Sequence, residues 1–215
     1  MSEPAQSPIG DGPTVCVDFR NPKAYLALQP TFALEDELGV AFDWLPLPVS
    51  PMSRPSAPRS DEDRGTRHRR IRAEYNERDL RRYARVYGVE LGDLYRNPDV
   101  SIASIGLLWT KREGPNTVRA YLRAVFERYW RARLDIEDAA AIARVLREVG
   151  VDTAGWDAYA KGSGRELFER TAAGLREAGL FDVPAYVVDG EIFFGRQHLP
   201  MVRWMLTGKQ GEPPI

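Results

Sequence analysis

Strand-like sequence stands at the two ends of this chain with a long helical stretch between them, and that separation limits the folds open to it. Near the N-terminal end, PTVCVDF (13–19) is an apolar, β-rich run bounded by Gly-Pro before and Asn-Pro after, the pattern of an interior strand. Asn21 then stands as a helix N-cap, with Pro22 at the first helical position, where its missing N–H costs nothing. The helix is predicted to run to Leu38 with a bend at Pro30 and to stop at Gly39. VAFDWLPLPV (40–49) reads as a second strand ended by its prolines, which makes a β-α-β unit with parallel strands. Near the C-terminal end, PAYVVDGEIFFG (184–195) is two apolar runs joined by Asp189-Gly190, a two-residue hairpin signal. A short helix with an apolar face, HLPMVRWML (198–206), follows.

Between these blocks the apolar period is helical. Residues 50–65 are rich in Pro, Ser and charge and read as a loop. Ile71, Tyr75, Leu80, Tyr83, Ala84 and Tyr87 recur at near-helical spacing up to Gly88. Val118, Tyr121, Leu122, Val125, Phe126 and Tyr129 follow the 3-4 alternation of a core-facing stripe. Asp135 is the predicted cap of the next helix, with Ala139, Ile142, Val145, Leu146 and Val149 on its apolar face. SGRE (163–166) has the form of a capping box for a helix ending near Gly179. An early β-α-β and a late β-β-α form one mixed sheet if the helical block is an insertion. The expected fold class is therefore α/β: a thioredoxin-like mixed sheet interrupted by an α-helical insertion domain. The expected division is a disordered lead over 1–12, a thioredoxin-like domain over 13–50 plus 180–215, and a loop with the α-helical domain over 51–179.

Composition narrows the function classes. The 215 residues are 43% hydrophobic, enough for a sizeable core. The 30 basic and 31 acidic residues nearly cancel, so the whole chain has no general bias toward nucleic acid or membrane. A single cysteine, Cys16, excludes an intramolecular disulfide framework and any cysteine-built zinc or iron–sulfur site. Lying mid-strand, it reads as a buried core thiol. His68 and His198 lie far apart with no carboxylate pattern beside them, so no metal is expected. No apolar run approaches the roughly 20 residues that span a bilayer, and the first residues carry no apolar signal core. A cytoplasmic protein with no membrane partner is expected.

Four stretches carry a family resemblance. DFRNPKAYLAL (18–28) resembles the first-strand motif of the DsbA-like thioredoxin superfamily, in particular the branch of 2-hydroxychromene-2-carboxylate isomerases and kappa-class glutathione transferases. YNERDLRRYARVYGV (75–89), AVFERYWRARLDIED (124–138) and GLFDVPAYVVDGEIFFGRQHL (179–199) are similar to later segments of that branch, in the same order. The resemblance implies an isomerase-like enzyme acting on a small aromatic or unsaturated acid, with glutathione as a cofactor, and a homodimer by analogy. It also places Val183-Pro184 at the family's cis-proline, whose neighbouring backbone aligns an extended ligand.

This chain departs from the family at two places. Where the disulfide oxidoreductases carry Cys-Pro-x-Cys, it has Asn21 and Ala24, so dithiol–disulfide exchange is excluded. Where the glutathione-using branch has a serine, Asn21 can still donate one hydrogen bond to a thiolate or oxyanion. It cannot serve as a nucleophile. After the hairpin, Gln197 stands where the branch has an acid that holds the amino end of glutathione, and Arg196 adds a cation beside it. That exchange favours a carboxylate-bearing ligand over glutathione. Asn21 is thus the candidate catalytic residue, with Arg20, Lys23, Val183, Pro184, Arg196 and Gln197 as candidate substrate or cofactor contacts. A rival reading is a thioredoxin-like protein that keeps the cleft for a ligand or partner peptide without catalysis. A third is an enzyme that uses the cleft with no thiol cofactor.

Nine arginines against three acids between Arg64 and Arg85 fit an electrostatic rim for anions, a nucleic-acid patch, or the solvated face of an amphipathic helix. The Glu74–Arg78 and Glu77–Arg81 spacings support the helix face, and no nucleic-acid partner is expected.

Overall fold

The computed structural model describes residues 8–214. Its centre is a four-stranded sheet in the order β2-β1-β3-β4, built from β1 (Thr14–Val17), β2 (Asp43–Pro46), β3 (Ala185–Val188) and β4 (Glu191–Phe194). β1 pairs parallel to β2 and antiparallel to β3, and β3 pairs antiparallel to β4. The sheet is mixed because β1 and β2 are joined through helix α1 (Pro22–Leu38), whereas β3 and β4 are joined by a tight turn. Asp189 and Gly190 supply that turn with φ of 51° and 80°, the two positive values a primed hairpin turn requires. The first strand to the last helix thus has the thioredoxin-like plan.

The intervening helices are α2 (Arg64–Tyr87), α3 (Ser101–Thr110), α4 (Pro115–Trp130), α5 (Ala139–Glu148), α6 (Trp156–Lys161) and α7 (Ser163–Glu177), with α8 (Leu199–Leu206) after the hairpin. One hydrophobic cluster runs from the sheet through α1 into α3, α4 and α5. The α4 stripe is fully inside: Tyr121, Leu122, Val125 and Phe126 have no exposed surface. Gly106 lets α3 approach α4 closely, since a Cβ there would fall on the Tyr121 hydroxyl, which donates to Ala103 O at 2.8 Å. α1 continues through Pro30 and ends at Gly39 in the left-handed conformation. Of the expected disordered lead, residues 1–7 lie outside the described residues; Pro8 sits against Gly174 of α7, and Ile9 packs on the core.

Several local expectations are corrected. Asp138, rather than Asp135, caps α5 by accepting from Ala140 N, while Asp135 accepts from Glu137 N in a turn before it. The SGRE box does not form: Ser163 is already helical, Gly162 is the cap, and no side chain bonds there. Glu74 pairs with Arg70 rather than Arg78, although Glu77–Arg81 forms as spaced. α3 has no amphipathic period to reveal it, because it is buried on nearly every side.

The apolar stripe of α2 is not continuous either. Ile71 and Tyr75 are 49% and 55% exposed, whereas Leu80 and Ala84 are buried. The step from residue 75 to residue 80 is five, which turns the helix face by about 140°. The first pair therefore points to solvent, and the second set points to the sheet side.

Candidate functional site

A cleft of about 790 Å³ opens between the start of α1, one face of α2 and the end of the hairpin. This is within the size range of small-ligand sites. Its apolar lining comes from Met52, Tyr83, Tyr87, Phe194 and Pro200, and its charged lining from Lys23, Arg69, Arg72, Asp79, Asp182 and Arg196. Residues 69, 72, 76, 80, 83 and 87 of α2 step by three or four, so one helical stripe forms a whole wall.

The junction of β1 and α1 is tightly bonded within itself. The Asn21 backbone is extended, its Oδ1 accepts from Lys23 N at 2.9 Å, and the residue is only 8% exposed. Its Nδ2 has no hydrogen-bond partner among the described residues, so both amide N–H groups remain after the helix is capped. Asn21 itself does not line the cleft; Lys23, two residues on, does. Just before it, the Asp18 carboxylate, 1% exposed, accepts from Arg20 N, Nε and Nη2 and from Val49 N. The Arg20 guanidinium also donates to Asn97 Oδ1 at 2.6 Å and to Val49 O at 2.9 Å. Burial opposes its charge, but the Asp18 contacts outweigh burial and leave its pKa above the ordinary value. Arg20 is therefore a half-buried brace between the end of β1, the loop after β2 and the segment before α3. It is absent from the cleft wall.

The Val183–Pro184 bond is cis. Val183 lines the cleft, but its N–H already donates to Asp182 Oδ1 at 2.8 Å. The other oxygen of the same carboxylate holds Lys23 Nζ at 3.1 Å. Pro184 O accepts from Gly195 N at 2.7 Å, which ties the proline to the end of β4. Gln197 folds back so that its Nε2 donates to Phe194 O at 2.9 Å. Gly195, at φ 92°, makes room for it, as a Cβ there would overlap the Gln197 amide. Arg196 lies over the Tyr83 ring, 3.8 Å from its centroid, with no carboxylate partner among the described residues.

The structure thus brings Lys23, Val183, Arg196 and Gln197 to one cleft and leaves Asn21 and Arg20 behind its wall. The sequence reading did not single out Arg69, Arg72 or Asp182. The first two are legible once the helical arithmetic is done, because they share the stripe of Tyr83 and Tyr87. Asp182, a loop carboxylate beside a proline, gives no such signal. Cys16 is sealed at the middle of β1, and burial, with Asp43 adding, raises its thiol pKa far above the ordinary value. No His, Cys, Asp and Glu grouping suited to a metal occurs among the described residues, and none of the helices among them is long and apolar enough to cross a membrane.

The sequence pattern of the DSBA-like thioredoxin domain matches residues 15–206. The chain belongs to that family. Among solved structures it is similar to 2-hydroxychromene-2-carboxylate isomerase, with a TM-score of 0.69 and 20% identity over 92% of this chain and 95% of that one. It is also similar to the cytosolic disulfide reductase DsbM from Pseudomonas aeruginosa, solved with GSH, with a TM-score of 0.59 and 16% identity over 92% of this chain and 98% of that one. At these identities the likeness shows the shared DsbA-like fold. No curated protein sequence matches the chain.

Proposed function

We propose that this DsbA-like protein is an enzyme of the 2-hydroxychromene-2-carboxylate isomerase type that acts on an aromatic or unsaturated carboxylic acid bound in the cleft. The observation that carries this reading is Arg196 laid on the Tyr83 ring at the cleft wall. A guanidinium held over an aromatic face keeps N–H donors for a planar carboxylate, and Tyr87 and Phe194 offer flat surfaces for the substrate body. Asn21, behind the wall, caps α1 and takes no part in this contact.

Glutathione does not fit this arrangement of residues. The Val183 N–H, the backbone donor that an extended peptide ligand would use, is taken by Asp182. The junction carries neither thiol nor hydroxyl to hold a thiolate. The reading therefore routes no step through glutathione.

The test is to mix the purified protein with 2-hydroxychromene-2-carboxylate, with and without reduced glutathione, and follow its isomerisation by absorbance. Turnover lowered at least about tenfold in Arg196→Gln supports the assignment. Turnover unaffected by this change would overturn the role of Arg196.

The internal saturation of the α1 start favours a second reading, a ligand-binding protein without catalysis. Calorimetric binding of an aromatic carboxylate with no turnover of any unsaturated acid supports that reading over the first.

A further inference from the structure

We propose that the cleft takes a ligand with two anionic groups, one at each end of a flat apolar body; this rests on the carboxylate-binding reading above. The inference starts from a charge balance across the cleft. Of its two carboxylates, Asp182 is bound to Lys23, and Asp79 accepts from Arg82. Both are therefore already neutralised by cations of this chain.

Among the described residues, three guanidinium groups of the cleft form no ion pair with a carboxylate. Arg69 donates only to the Thr66 hydroxyl, at 3.0 Å, and its charge helps hold the Asp63 pKa down without an ion pair between them. Arg72 has no hydrogen bond or ion pair among the described residues, and the three acids of the same helix bond other partners, Glu74 to Arg70, Glu77 to Arg81 and Asp79 to Arg82. Arg196 meets only the face of Tyr83. A cleft that gathers three such cations and leaves them unpaired is electrostatically incomplete, and its field draws anions.

The cations form two poles. Arg69 and Arg72 are three residues apart on the cleft stripe of α2, near its N-terminal end. Arg196 is pinned to Tyr83, which lies eleven residues beyond Arg72. At 1.5 Å per residue that is about 16 Å along the helix axis, a gap that the long arginine side chains can shorten from both ends. Ala73, Asn76, Leu80 and Asp79, the last paired with Arg82, line the stretch between, and Tyr83 and Tyr87 line the Arg196 end. A single carboxylate answers one pole only. An aromatic dicarboxylate, or an aromatic acid bearing a phosphate, answers both while its body lies along the stripe.

Paired titrations with biphenyl-4-carboxylate and biphenyl-4,4′-dicarboxylate test this by calorimetry. The dicarboxylate should bind at least about fivefold tighter, and its affinity should fall more steeply with added NaCl. The double variant Arg69→Gln, Arg72→Gln should bring the ratio of the two affinities close to one. Arg196→Gln should weaken both probes. Equal affinities in the wild type, or a ratio that survives the double variant, would overturn the two-pole assignment while leaving the carboxylate cleft intact. Binding of neither probe would overturn both. Circular dichroism of each variant shows that a changed ratio comes from a folded protein.

Discussion

On the α1 side of the cleft Asp18, Arg20, Lys23 and Asp182 satisfy one another's charges; on the α2 side Arg72 and Arg196 have no acceptor among the described residues. The same contrast holds for apolar groups. Residues behind the α1 start are sealed into the core, whereas Ile71 and Tyr75 of α2 face solvent. In this fold the strand-to-helix junction is where reactive side chains are usually displayed. Here that position has become structural, and the inserted helix presents the chemistry that a ligand would meet.

The sharpest way to break this contrast is to attack each wall and compare stabilities. Asp18→Ala strips four hydrogen bonds from a buried carboxylate and strands Arg20, so it should cost about 3–5 kcal/mol in urea or thermal unfolding. Arg72→Gln should change stability by less than about 0.5 kcal/mol. Similar values for the two would erase the distinction. Asn21→Ala should lose about 1 kcal/mol through the helix cap, and Asn21→Asp should restore it; a loss in both would mean that the Nδ2 donor, rather than the cap, stabilises the fold. A modest effect is expected from Asp182→Asn. The Lys23–Asp182 pair is partly exposed, so its loss should cost at most about 1 kcal/mol. The same change frees Lys23 and removes a negative charge, and aromatic carboxylates should bind about two- to fivefold more tightly. Weaker binding would show that Asp182 positions the ligand instead of competing with it.

The strand-rich ends of the chain were readable because their signals are local. Gly39, the Asp189-Gly190 turn and the Asn21-Pro22 start each demand a particular backbone conformation, and each element begins or ends where that residue says. The site was less readable because its chemistry depends on which partner a charge finds. Arg20 and Lys23 look like free cations in the sequence, yet Asp18 is two residues away from one and Asp182 lies 159 positions from the other. Only the fold decides such pairings. The α2 stripe failed for a simpler reason: six apolar residues at nearly helical spacing hide one step of five, and that step divides a solvent-facing pair from the cleft and core set.

Cys16 adds a practical consequence. It is the only sulfhydryl in the chain, and it is shut inside β1 with its ionisation suppressed. The native protein is therefore a ready background for single-site labelling. A cysteine introduced at position 71 or 75, both solvent-facing on α2, would be the sole accessible attachment point for a fluorophore or spin label, with no native thiol to remove first. Occupancy of the cleft could then be followed with all its arginines in place.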